Sequence, residues 1–343
     1  MAEIKSDSVA GFIPESVAGL LRNQQFEEGW KEFEWRLQTK RMIRRLGRFS
    51  APLWNGEPIG DSIILLHADE GLGDTLQFCR YVPQIAASAR TVLEVQPPLV
   101  RLLSRLLGPI EIIARGDPLP AFDLHCPLMS LPRAVRTTLD TIPATSPYLE
   151  ADPADVAHWR ERLAGLARLR VGLCWAGGRS RYLSQIATDR RRSITLDTLA
   201  PLGEISGVQF ISLQKGPPAA EAARPPHGME LHDFTEDLHD FADTAALKDS
   251  LDLVISVDTS IAHLAGALGK PVWLLNRFDT CFRWLQNRDD SPWYPSLRQF
   301  RQPAPGDWRS VISRTRGALQ RLADRSHYGR RRWPADCPVA KIP

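Results

Sequence analysis

The sequence predicts two doubly wound α/β domains in tandem, and three observations carry that prediction. Short apolar, β-branched runs recur along the chain, and segments with a helical period separate them. These runs fall into two series divided by the turn-rich stretch Thr145–Pro153. A length of 343 residues is enough to bury two sizeable cores.

Taken in order, residues 14–44 read as helical, with Val17, Leu20, Leu21, Phe26, Trp30, Phe33, Trp35 and Leu37 recurring near a 3.6-residue period. After the breaker-rich Ser50–Gly60, Ser62–His67 reads as a buried strand, residues 67–74 as a loop and Thr75–Ala89 as a helix. Strand Thr91–Val95, helix Leu99–Leu107 and strands Glu111–Ala114 and Phe122–His125 complete the first series. A helix over Ala154–Leu166 opens the second. Its strands are Arg170–Trp175, Val208–Leu213, Leu253–Val257 and Val272–Leu275, with helices near Leu238–Asp249 and Trp308–Leu322. Alternating strands and helices argue parallel sheets with helices on both faces. The resulting division is a helical segment at 1–49, α/β domains at 50–150 and 151–325, and a basic, mobile tail at 326–343.

Composition narrows the function classes. The hydrophobic content of 43% and charged content of 24% are those of a soluble globular protein, and a net charge of +3 is too small to argue for nucleic acid. No apolar run approaches the ~20 residues of a membrane span, and MAEIKSDS lacks a signal-peptide profile. Five scattered cysteines without a CxxC pair form neither a zinc framework nor a disulfide scaffold, so reduced thiols in a cytoplasmic protein are expected. No His/Asp/Glu grouping has metal-ligand spacing.

The richest stretch is Asp252–Leu275, DLVISVDTSIAHLAGALGKPVWLL. Asp258, Thr259 and Ser260 follow a buried strand where a helix should begin. Ile261, Leu264, Ala265 and Leu268 give that helix an apolar face, and Gly269 a left-handed stop. Free amides with two hydroxyls at a helix start suit a phosphate, and His263 shares that face one turn in. An ordinary capped helix with a core histidine would look the same.

Three other stretches join it. Gly71-Leu72-Gly73-Asp74 follows the first strand but fails the dinucleotide fingerprint, because Leu76 takes the third glycine position and Asp74 puts a negative charge where a pyrophosphate would sit. Glu94 stands where a ribose-binding acid would, and alone it is weak evidence. Asp74 reads equally as a dipole-complementing helix acid or as a general base at the mouth of a crevice. Beyond strand Arg170–Trp175, the Ala176-Gly177-Gly178 turn and a polar loop ending TDRRRSI can hold phosphates, with Arg192 and Ser193 kept at the domain edge by Ile194 and Leu196. Gln214 and Lys215 leave another strand where a base or ribose could be met. DFADT at 240–244 has a capping look, and Asp289-Asp290 reads as surface.

Together, GLGDTLQFCRYVP, WAGG…RRRSI and VDTSIAHLAGALGKPVW resemble bacterial glycosyltransferases of the heptosyltransferase type, glycosyltransferase family nine. QFEEGWKEFEWR and SPWYPSLRQFRQ are similar to stretches of the branch fused to tetratricopeptide repeats, of which a single partial copy is visible at the N-terminus. The resemblance runs from about Phe26 to Leu322. It implies a GT-B fold and an inverting, metal-independent transfer from a nucleoside-diphosphate sugar, ADP-heptose being one candidate, to a hydroxyl of a lipid, glycan or protein acceptor. No cofactor is implied. A place at the inner face of the membrane without a span would be compatible with it. By resemblance Asp74 is the base. Arg192 stands near a basic residue, lysine in many members, that neutralises the leaving phosphate. Trp175, Gly177, Ser193, Gln214, Lys215, Asp258, Thr259, Ser260 and His263 line the donor side. Asn276-Arg277 departs from the proline-containing turn expected after the last strand. Two other classes compete: a catalytically silent nucleotide-binding adaptor using its aromatic N-terminal helices for a partner, and a dinucleotide-dependent oxidoreductase, which Leu76 and Asp74 disfavour.

Overall fold

A computed structural model describes residues 19–21, 23–166, 169–178 and 183–328. It contains two parallel sheets. The first orders its strands β3-β2-β1-β4, from β1 (Ile63–His67), β2 (Arg90–Val95), β3 (Ile110–Ala114) and β4 (Leu124–Pro127). The second orders β10-β9-β8-β5-β6-β7, from β5 (Leu169–Cys174), β6 (Val208–Ser212), β7 (Leu231–Asp233), β8 (Leu253–Val257), β9 (Val272–Asn276) and β10 (Leu297–Arg301). Both sheets reverse their winding beside the first strand of the series, so each has a switch point at the carboxyl ends of its strands. The two expected α/β layers are therefore present, with the strands lengthened or trimmed by a residue or two.

Several local expectations need correction. The N-terminal segment is not one continuous helix: α1 (Phe26–Phe33) passes through a 3-10 turn at Glu34–Gln38 into α2 (Lys40–Leu46), which Thr39 caps through the Met42 amide. The helix after β1 starts earlier than Thr75, as α3 (Leu72–Phe78), so Asp74 lies in its first turn rather than in the loop. That helix also breaks, through a 3-10 turn, into α4 (Val82–Ala86), because Pro83 begins a new first turn. The next helix is shorter than Leu99–Leu107, ending as α5 (Val100–Leu103). The helix read as Ala154–Leu166 is α7 (Pro153–Arg162), after a short α6 (Leu131–Ala134).

The arginine-rich loop is in fact a helix, α8 (Leu183–Arg192). It is polar enough to hide its period from a sequence reading, while residues 179–182 lie outside the described part. Strands β7 and β10 were not anticipated, the first because three residues carry no pattern and the second because Arg298, Gln299 and Arg301 make LRQFR look polar. After α9 (Ala200–Gly203), the DFADT segment caps α10 (Phe241–Asp249), Asp240 accepting from the Ala242 and Asp243 amides. The turn after β8 opens α11 (Ser260–Ala267), and Gly269 follows with φ +66°. Helix α12 (Trp308–Tyr328) extends into the expected tail; residues 329–343 lie outside the described part.

One apolar cluster runs from the N-terminal helices through the first domain and into the second. It joins Phe26, Trp30, Phe33, Phe78, Ile261, Leu264, Phe282, Trp284, Trp293 and Tyr294. Trp30 is its hub, edge-on to Phe33, Phe78, Phe282 and Trp293 with centroids 5.8 to 6.5 Å apart, and its indole N–H donates to the Thr137 carbonyl at 3.1 Å. Such pairs add about 0.5–1.5 kcal/mol each beyond the area they bury. A second cluster, around Phe210, Val257 and Leu319, fills the outer face of the larger sheet. The N-terminal helices are thus docked into the interdomain core. Their aromatic face is buried, with Trp35 standing out at 64% exposure.

Candidate active site

The two domains meet where the N-terminus of α3 packs against α11. On the first-domain side, Asp74 folds back so that Oδ2 accepts the Gly71 amide N–H at 2.8 Å, which fixes the carboxylate over the start of its own helix. Its other oxygen, Oδ1, accepts from Arg283 of the second domain in an ion pair. The side chain keeps 24% of its surface open. Next to it, Gly73 lies directly against α11: a Cβ there would stand 2.9 Å from Cδ2 of His263 and 3.4 Å from Cα of Ser260.

On the second-domain side, the carboxyl ends of β5, β6 and β8 are stitched together by short polar contacts. Thr259 caps α11, its hydroxyl accepting from the Ile261 amide at 3.3 Å and pairing with Ser256 at 3.0 Å. Arg192, at the end of α8, donates through Nη1 to the Asp258 carbonyl at 2.8 Å and through Nε and Nη2 to Asp189. Gly177 lies under that guanidinium, its amide donating to the Ser193 hydroxyl at 3.0 Å; a Cβ on Gly177 would stand 2.5 Å from Nη2 of Arg192. Arg192, Ser193, Gly177, Asp258, Thr259 and Ser260 are therefore brought together. Asp258, Thr259, Ser260 and Arg192 remain partly exposed.

His263 faces inward. Its Nδ1 pairs with the Tyr294 hydroxyl at 2.8 Å and its ring stacks on Trp284 at 5.2 Å. Burial, helped by the nearby Arg283 charge, pulls its pKa down to about 4, so the imidazole is neutral near pH 7 and can offer a hydrogen bond but no charge.

Other expected donor contacts turn toward the protein's own backbone. The Gln214 carbonyl accepts from the Trp175 and Ala176 amides at 3.0 and 2.8 Å, and its NH2 donates to the Ala176 and Lys215 carbonyls. The Lys215 ammonium binds the carbonyls of Thr235 and Leu238. The Trp175 side chain is fully buried in the outer core. These three shape the strand ends from behind. Glu94 is buried and ion-paired with Arg48, while Asp289 and Asp290 are exposed.

The residue that sequence reasoning missed is Arg283, with its supports. It is enclosed by the interface, stacks over Phe282 at 4.5 Å, and donates to Gln77 Oε1 at 2.6 Å and to Cys281 Sγ at 2.9 Å besides Asp74. Burial works against its charge, but Cys281, Asp74 and Asp258 together hold its pKa above the ordinary arginine value. Asn276, whose departure from a proline turn stood out, donates to Thr280 and to Gln299. Gln299 in turn donates to the Trp284 and Asp290 carbonyls and so braces the Arg283 loop. Among the described residues no group of three His, Cys, Asp or Glu side chains is arranged to hold a metal ion, and no helix is long and apolar enough to cross a membrane.

No family model matches the chain. Protein FlbA of Caulobacter vibrioides is 28% identical over 325 residues, which cover 86% of this chain; the chain spans 52% of that relative's length. Among solved structures, E. coli ADP-heptose LPS heptosyltransferase II superposes with a TM-score of 0.54 at 13% identity, covering 77% of this chain and 99% of that one. A glycosyl transferase family 9 protein from Veillonella parvula superposes with a TM-score of 0.53 at 10% identity, covering 79% and 99%. With its two facing parallel-sheet domains, the chain has the GT-B-like fold of these proteins.

Proposed function

We propose that this protein is an inverting, metal-independent glycosyltransferase that moves a sugar from a nucleoside-diphosphate donor to a hydroxyl acceptor. In this reading residues 50–150 hold the acceptor and residues 151–325 the donor, with ADP-heptose a candidate because one structural neighbour carries that donor in its name. The observation that supports it is the meeting of α3 and α11: a partly open carboxylate, Asp74, on one side and a helix N-terminus with Thr259, Ser260 and Arg192 on the other. Displacement at an anomeric carbon builds negative charge on the departing phosphate, which amides, hydroxyls and a guanidinium stabilise. Asp74 takes the acceptor proton as the new bond forms, and His263, being neutral, contributes a hydrogen bond.

The N-terminal segment, which resembles part of a tetratricopeptide repeat, serves here as a support for the interface. The adaptor reading is not favoured, because Phe26, Trp30 and Phe33 are buried and of the segment's aromatic side chains Trp35 stands exposed. The test is a thermal-shift panel of ADP, UDP and GDP with their sugars, followed by an assay of nucleoside-diphosphate release. Asp74→Asn should abolish transfer and keep nucleotide binding. Binding to no nucleotide sugar would sink the proposal, and transfer surviving in Asp74→Asn would remove Asp74 as base.

A further inference from the structure

The segment CFRWLQNRDDSPWYPSLRQFRQ, residues 281–302, has no part in the chemistry described so far, yet it supplies the second domain's grip on Asp74. Its Arg283 reaches across the interface and holds two successive turns of α3 at once, Asp74 Oδ1 through Nη2 and Gln77 Oε1 through Nε. The Gly71 amide holds the remaining carboxylate oxygen, so the two Asp74 oxygens are each fixed from a different domain. A surface ion pair would contribute little. This one is enclosed by Phe282 and Phe78, and its loop is braced by Gln299. A guanidinium with planar, directional donors fixes the orientation of a carboxylate in a way that a lysine ammonium, a point charge, does not.

We propose that Arg283 is a positioning residue for the base, delivered by the donor domain, so that Asp74 is aimed only when the two domains are closed on each other. The inference rests on the reading of Asp74 as general base. It separates two roles that the interface otherwise merges. Arg101 also bridges the domains, binding Asp155, Asp240 and Asp243, but it belongs to α5 and touches nothing near Asp74. If the interface only glued the halves together, losing either arginine would act alike.

The experiment uses the full chain and the nucleotide sugar that the panel identifies, reading nucleoside-diphosphate release. Arg283→Met should lower kcat at least tenfold with donor KM within about twofold, and Arg283→Lys should recover only part of the loss. Arg101→Met should keep kcat near the wild-type value while lowering the melting temperature. Equal losses of kcat in Arg101→Met and Arg283→Met, or a kcat unchanged in Arg283→Met, would overturn the positioning role while leaving the glycosyltransferase reading standing. A wild-type chain that releases no nucleoside diphosphate from any donor would overturn both. A double-mutant cycle of Asp74→Asn and Arg283→Met in thermal unfolding checks the pair without activity: additive effects would show that the two side chains are not coupled, and would also overturn it.

Discussion

Gly73 in the first domain and His263 in the second touch with no room between them, an added Cβ coming within 2.9 Å of the imidazole. This contact sets how closely the carboxylate of Asp74 approaches the Asp258–Ser260 turn at the start of α11. It makes a sharp prediction, because glycine inside a helix is intrinsically worse than alanine by roughly 0.5–1 kcal/mol. On propensity alone Gly73→Ala would stabilise the protein. We expect the opposite, a lower melting temperature with an activity loss on the order of tenfold, since the new methyl must push α11 away. Thermal unfolding and initial rates on the same preparation give the answer, and a raised melting temperature would refute the contact.

His263 predicts a pH dependence of stability. Its folded-state pKa of about 4 lies below the ordinary 6.5, so the unfolded chain binds a proton in a range where the folded one does not. Stability is therefore fully present above pH 6.5 and is lost as the pH falls toward 4, by on the order of 3 kcal/mol from this group. Denaturant titrations at pH 7 and pH 4.5 should show a drop that shrinks in His263→Gln. An equal drop in both proteins would show that His263 is not its source.

Lys248 makes a prediction of opposite character. Its side chain on α10 is fully buried, Nζ has no hydrogen-bond partner among the described residues, and burial, with Lys270 nearby, pulls its pKa well below the usual value. Because the folded chain releases this proton at a lower pH than the unfolded chain does, stability rises as the pH climbs toward 10.5. Lys248→Met should stabilise the protein at pH 7 by about 1 kcal/mol or more, since it removes an unpaired polar group from an apolar site. A midpoint shifted to lower denaturant concentration would contradict this.

Trp30 tests whether the N-terminal helices belong to the two-domain body. Trp30→Ala empties the hub between both domains and should cost about 3–5 kcal/mol. A chain lacking residues 1–49 should unfold at much lower denaturant concentration or fail to fold, because Phe78, Phe282 and Trp293 would lose their cover. A truncated protein as stable as the full chain would show the segment to be an appendage.

Much of the molecule was legible from residues alone. The central strands show because buried parallel strands need unbroken apolar, β-branched runs such as Leu253–Val257. The turn at 258–263, its Thr259 cap and the Gly269 stop are local devices set by residues a few positions apart, so sequence could display them. Asp74 was visible as a charge just past a strand, and Arg192 as a charge held next to the resumed apolar pattern of Ile194 and Leu196. Periodicity failed where an element is short, as β7, or polar, as α8.

Direction and partnership were decided by the tertiary structure. Gln214 and Lys215, read from the sequence as ligand contacts, have side chains that bind backbone amides and carbonyls of the protein itself, partners the sequence does not show. The pKa of His263 is lowered by its burial beside Trp284, with the Arg283 charge adding to the effect, and neither cause is visible in the local sequence. Arg283 lies 209 positions from Asp74 along the chain, and no periodicity or spacing links residues so far apart. The sequence by itself determined two wound domains and the local chemistry of their strand ends. Which charges face each other across the interface was set by the packing of α3, α11 and the aromatic hub, because burial of apolar surface is the non-directional force that holds the two domains in the register at which Arg283 reaches Asp74.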